Sequence, residues 1–210
     1  MWLMVSQVLA SLTRLTPEAL ITIMEGMGYP VYQGDYNLNL VGVRAADHDS
    51  NRFNDALLIL YMVAGRWHLH FFSFTTDPGE HYRENPINTL GTAVLVPGHY
   101  PGCWRIGTHQ GKYKALVQCK EMTVYRDSNQ DKTLDTENVP TDTGLFGINL
   151  HRANENMPSS IVGKWSAGCQ VIPSPLDFDL LMALAAVSVN QYGAYFSYSL
   201  LTEAQLCLTS

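Results

Sequence analysis

The stretch from residue 55 to residue 75 constrains the fold more than any other, because its residues suit paired strands and little else. Residues 56–63 form a continuous apolar run, Gly65 breaks it, and residues 67–75 follow with aromatic side chains and histidines in alternation. A short apolar run bounded by a turn residue and a stretch of alternation both read as strands. The expectation is a β-hairpin turning around Ala64, Gly65 and Arg66.

The same pattern continues on both sides. Leu38, Leu40 and Val43 alternate before the hairpin, and further strands are expected at residues 91–96, 104–107, 113–118 and 123–125. Pro78, Gly79, Pro86, Pro97, Gly98, Pro101 and Gly102 punctuate the intervals. Helices flank this region. Thr16, Pro17 and Glu18 supply a hydroxyl cap, a first-turn proline and an acid suited to the helix dipole, so a helix should run through Met24 and stop near Gly26 or Gly28. Residues 1–14 read as a second short docking helix. Ser174, Pro175 and Asp177 announce a later helix with Leu180, Leu181, Leu184 and Val187 on one face, ended by Gly193 and followed by a strand at 195–200. The expected class is α+β, mostly β: an antiparallel β core with N-terminal and C-terminal helices. One domain is expected over 1–210, with a helical segment at 1–34 and the β-rich region at 35–210.

With 46% hydrophobic and 15% charged residues the chain has the material for a packed core. A net charge of -6 with 13 Lys and Arg and no basic run argues against nucleic acid as a partner. No segment approaches the roughly 20 continuous apolar residues of a membrane span. The apolar start has no basic residue ahead of it, with Arg14 behind, so it reads as a docking helix and not a signal peptide. An enzyme with an extracellular substrate would then be delivered by another machine, as a phage-encoded lytic protein would be. Cys103, Cys119, Cys169 and Cys207 show no CxxC spacing, although Cys103 and Cys119 could pair across neighbouring strands.

Chemistry concentrates in Gly147-Ile148-Asn149-Leu150-His151-Arg152 and, after a loop, Trp165-Ser166-Ala167-Gly168-Cys169-Gln170-Val171. A thiol becomes a useful nucleophile when an imidazole takes its proton, and a small Ser-Ala-Gly approach brings backbone N–H groups near a developing oxyanion. These segments resemble the signature of the L,D-transpeptidase (YkuD-like) family: a His, a loop, then Ser or Thr, His, Gly, Cys, a variable residue and Asn or Arg. On that resemblance His151 is the base, Cys169 the nucleophile, and Ser166 and Gly168 form the turn. A fainter match is Asn88-Thr89-Leu90-Gly91-Thr92-Ala93-Val94, similar to the family's Thr-Pro-x-Gly-x-Phe strand. The similarity spans roughly residues 68 to 172. Departures are Ala167 where the family has His, Leu90 for proline, and Gln170-Val171 after the cysteine. The resemblance implies a cysteine acyltransferase or peptidase acting on peptidoglycan peptides, with Arg152 and Ser166 orienting base or substrate. Without a His at 167, water is the expected acceptor over a second stem peptide, and no cofactor or metal is expected.

Two other readings come from the residues themselves. Gly98-His99-Tyr100, Arg105, His109, Lys112, Tyr113 and Lys114 form a polar and aromatic cluster able to neutralise a carboxylate and withdraw a proton, which is the chemistry of a lyase on an acidic bacterial polysaccharide. In that reading Arg105, His109, Tyr113 and His151 act and Cys169 only supports. A non-catalytic wall- or capsule-binding module would keep the cleft and leave the thiol idle. Residues 127–131 begin like a calcium loop, but Lys132 stands where that loop turns on glycine, so a solvated hairpin loop is expected. His68 and His70 share one strand face and are expected within a packed aromatic sheet.

Overall fold

The computed structural model describes residues 12, 14–47, 49–131 and 133–206, so the helix expected over 1–14 lies mostly outside the described residues. The order is α1 (Pro17–Gly26), β1 (Asn39–Arg44), β2 (Asp55–Val63), β3 (Arg66–Phe74), α2 (Glu80–Glu84), β4 (Thr92–Leu95), β5 (Gly98–His109), β6 (Tyr113–Gln118), β7 (Met122–Asp127), β8 (Thr141–Gly144), β9 (Leu150–Arg152), β10 (Gln170–Ile172), α3 (Pro175–Tyr192), β11 (Tyr195–Thr202) and α4 (Glu203–Leu206). The class is α+β, mostly β. Eight strands form one sheet in the order β10-β9-β6-β5-β11-β1-β2-β3, and β4-β7-β8 form a second. All pairings are antiparallel except β1 with β11 and β9 with β10. Among the described residues no helix is long and apolar enough to cross a membrane.

The β2–β3 hairpin forms as its sequence demands. Ala64 and Gly65 both take positive φ (50° and 73°), the two-residue turn whose twist matches that of its strands. Asp35 stabilises it by accepting from the Ala64 and Gly65 N–H groups at 2.9 and 3.2 Å. The apolar run of β2 reflects burial on both faces. Leu57, Ile59 and Tyr61 enter one core cluster, and Ala56, Leu58 and Leu60 enter another beneath α1. On β3, His70 donates to or accepts from the Tyr61 hydroxyl at 2.9 Å and stacks on Phe72, so the alternating imidazoles belong to an aromatic ladder.

Both long helices begin at their expected caps. Thr16 accepts from the Ala19 N–H at 3.2 Å and Ser174 from the Asp177 N–H at 3.3 Å. The α1 helix buries Leu20, Ile23 and Met24 on the outer face of β1 and β2, each side chain stabilising by roughly 1.5–3 kcal/mol. The α3 face requires a correction. Its buried residues are Phe178, Leu181, Leu184, Ala185 and Ser188, whereas Leu180 and Val187 are exposed.

The eight-stranded sheet curls until its ends meet. Thr75, just beyond β3, exchanges two backbone hydrogen bonds with Val171 of β10 at 3.0 and 2.9 Å. A buried polar network backs this seam. Asp55 accepts from the N–H groups of Ala45 and Thr76 and from the Thr76 hydroxyl at 2.7–2.8 Å. Arg44 lies 2.8 Å from Asp77 and donates to the Thr76 hydroxyl and carbonyl. Gln170 donates to the same Thr76 carbonyl at 3.2 Å and accepts from the Tyr198 hydroxyl at 2.8 Å. Gly42 makes room for Tyr198, since a Cβ there would lie 1.8 Å from its hydroxyl.

Two buried carboxylates share one guanidinium in this network, and burial, followed by Asp77, pushes the Asp55 carboxyl up to about 7. Burial also raises Asp77. Both acids therefore hold protons more tightly folded than unfolded, so the stabilising contribution of Asp55 is complete in acid and is lost as pH rises through about 7, and that of Asp77 changes in the same direction. Urea unfolding should show a lower midpoint at mildly alkaline than at mildly acidic pH, and Asp77→Asn should move the loss to lower pH by removing the repelling charge. A midpoint independent of pH across this range would contradict the assignment.

Candidate active site

The β9–β10 pair organises the site. Gln170 stands opposite Leu150 and Val171 opposite His151 in parallel register, and the Gln170 N–H donates to the Asn149 carbonyl at 2.9 Å. Cys169 is thus level with Asn149, and strand alternation puts the Cys169 and His151 side chains on one face. Strand rise and spacing set their Cα atoms roughly 8 Å apart, a gap two converging side chains can span. The opposite face carries Leu150 and Ile172 into the main core and Gln170 into the seam network.

His151 is buried, and its Nδ1 lies 2.7 Å from the Arg152 carbonyl. That carbonyl accepts, so Nδ1 carries the proton and Nε2 is the bare basic nitrogen. Nε2 is buried with no hydrogen-bond partner among the described residues. The Tyr113 hydroxyl donates to the same Arg152 carbonyl at 3.0 Å and lies 3.3 Å from Nδ1. The His109 ring stacks on His151 with centroids 4.0 Å apart, and its own Nδ1 accepts from the Asn149 amide at 3.0 Å. The half-buried Cys169 donates its thiol proton to the Gly147 carbonyl, with 3.4 Å between sulfur and oxygen. Thiol and imidazole are therefore not hydrogen-bonded to each other in this conformation.

The turn before Cys169 is built from the Ser-x-Gly element. Ser166 is fully buried, donates to the Cys169 carbonyl at 2.8 Å and accepts from the Gly168 N–H at 3.2 Å. It shapes the loop from beneath and takes no exposed position. The same bond occupies the Gly168 N–H, which the sequence suggested for an oxyanion. Gly168 has φ +118°, and a Cβ there would sit 2.5 Å from the Ala93 carbonyl of β4. The upstream segment that resembles the family strand thus packs directly behind the cysteine turn.

Of the remaining expected residues, His109 and Tyr113 close the β5–β6 hairpin and join His151. Arg152 lays its guanidinium over the Tyr113 ring at 4.0 Å. Arg105 is not brought to the group. It is exposed and pairs with Val117 and Tyr195, roughly 13 Å along the strand from His109. Asn149, unremarked within its motif, is the residue that sequence reasoning missed. Its amide reaches His109, its side-chain oxygen accepts from Gln118, its carbonyl holds β10, and its backbone hydrogen bond favours the Cys169 thiolate. Cys103 and Cys119 are free thiols, Cys103 within the core, and Cys207 lies outside the described residues.

No family model matches this chain, and no curated protein matches it significantly.

Burial pushes the Cys169 thiol up to about 11. Burial, then His109 and Arg152, brings the His151 imidazole down to about 3, with the bond to the Arg152 carbonyl opposing. Burial also lowers His109, helped by Lys112. These shifts favour a neutral thiol beside a neutral imidazole before substrate arrives. Alkylation of Cys169 by iodoacetamide should therefore be slow at about pH 7 and keep accelerating as pH climbs toward about 11. A rate that levels off near neutrality would reveal a preformed thiolate–imidazolium pair.

Proposed function

We propose that this chain is a cysteine-dependent enzyme acting on a bacterial cell-envelope polymer, peptidoglycan peptides being the substrate, by acyl transfer or hydrolysis. The observation that supports this best is the His151 ring, held through Nδ1 on the Arg152 carbonyl with Nε2 bare, on the same strand face as Cys169. In this mechanism the Cys169 thiol leaves the Gly147 carbonyl and its sulfur attacks a peptide carbonyl while the proton passes to His151 Nε2. The displaced amine takes that proton, leaving a thioester on Cys169. Water, deprotonated by His151, then releases the acid and restores the thiol. With the two groups at about 11 and about 3, proton transfer accompanies C–S bond formation instead of preceding it. The Cys169 N–H is the oxyanion donor in this scheme, because the Gly168 N–H is held by Ser166.

A second reading, a lyase on an acidic polysaccharide, draws support from the convergence of His109 and Tyr113 on His151. It loses its expected carboxylate partner at Arg105, which lies elsewhere on β5. Four variants separate the readings on purified peptidoglycan and on acidic polysaccharide. Acyl transfer requires Cys169→Ala and His151→Ala each to lower peptidoglycan turnover by at least ~1,000-fold with the fold intact. The lyase instead requires Cys169→Ala to keep its activity and His109→Ala or Tyr113→Phe to lose it, with unsaturated sugar ends appearing. Near-parental depolymerisation by Cys169→Ala overturns the proposal.

A further inference from the structure

Arg152 differs from Arg44 in what it is paired with. Arg44 is committed to buried Asp77 at 2.8 Å, and Arg126 to the partly exposed Asp142 at 2.8 Å. The Arg152 side chain is only 13% exposed and is pinned flat over Tyr113, yet its ion-pair partner Glu155 is 72% exposed and reaches it at 3.1 Å from the loop after β9. Such a pair contributes little to stability, since the flexible carboxylate loses side-chain entropy and remains in water. The guanidinium, in contrast, is packed against Tyr113, and its planar fork matches a carboxylate with two parallel hydrogen bonds. The Tyr113 ring it covers reaches the reactive group. The Arg152 carbonyl anchors His151 and Tyr113, and the Tyr113 hydroxyl lies close enough to Cys169 for the thiolate to raise its pKa.

We propose that Arg152 is the carboxylate receptor of this site and Glu155 its intramolecular placeholder, so that the substrate is a peptide bearing a free carboxylate beside the carbonyl that Cys169 attacks. This rests on the cysteine reading for the reacting carbonyl, but the receptor itself can be tested by binding alone. An arriving carboxylate displaces Glu155 and takes the fork over Tyr113, exchanging a solvated partner for a bound one. The carboxylate has two sources on a peptidoglycan stem, the terminal residue or the side chain of the diacid residue, and both present the same group.

The test uses the full chain and three synthetic stem tetrapeptides: all carboxylates free, the terminal carboxylate amidated, or the diacid side chain amidated. Calorimetric binding to the Cys169→Ala protein, and turnover by the parent, are measured with each. Amidation at one of the two positions should weaken binding about tenfold, and that position names the source. Arg152→Gln should bring the three peptides to equal affinity. Glu155→Gln, a surface change that leaves the fold intact, should tighten the all-free peptide about threefold by removing its competitor. Discrimination that survives Arg152→Gln, equal binding of all three by the parent scaffold, or no binding of any would each overturn the proposal. Carboxylate-dependent binding without turnover would sustain the receptor and sink the cysteine mechanism, and turnover without discrimination would do the reverse.

Discussion

The two hydrogen bonds between Thr75 and Val171 turn an open sheet into a ring, and the candidate site depends on them. β10 has only three residues, and its one ladder partner, β9, has three as well. So short a pair is marginal by itself and would fray at a sheet edge. Joined to the end of β3, it becomes the closing stave of the eight-stranded sheet. The Gln170 side chain fastens it from within, to the Thr76 carbonyl on one side of the seam and the Tyr198 hydroxyl of β11 on the other. Cys169 is the residue immediately before this stave, so its place opposite Asn149 follows from the seam.

Burial that seals the seam also sets the chemistry. It raises the thiol and both seam acids and lowers the two stacked imidazoles, so these five groups are biased toward their uncharged forms. Cys169 and His151 in this state form no thiolate–imidazolium pair waiting to attack stray electrophiles. In the proposed mechanism, charge separation falls to the moment when a carbonyl occupies the site and the sulfur bonds to it. The His151 tautomer prepares that step, because a proton fixed on Nδ1 leaves Nε2 as the acceptor.

Much of this was legible in the chain because it is local. The hairpin turn at Ala64 and Gly65, the caps at Thr16 and Ser174 and the glycine that ends α3 each depend on a few adjacent residues. What escaped is long-range. β11 inserts between β1 and β5 in the middle of the sheet, and no residue of the last strand announces its neighbours. β5 runs from Gly98, well before the expected start, because a shift in its pairing with β11 and the positive φ of Gly102 absorb Pro101 within the strand. The α3 face misled because its sequence is apolar on nearly every side, leaving periodicity nothing to select. The site was half visible. His151 and Cys169 stood out by motif, whereas Asn149, the Gln170–Tyr198 contact and the stacking of His109 exist only once four strands are aligned.

The central claim is that Cys169 bonds covalently to its substrate's carbonyl, and intact-protein mass spectrometry after rapid acid quench tests it directly. Mixed with a stem tetrapeptide and quenched within one turnover, the protein should gain the mass of the acyl portion, localised by digestion to the peptide containing Cys169 and absent from Cys169→Ala. Conversion of the substrate with Cys169 unmodified at every time point would contradict the account.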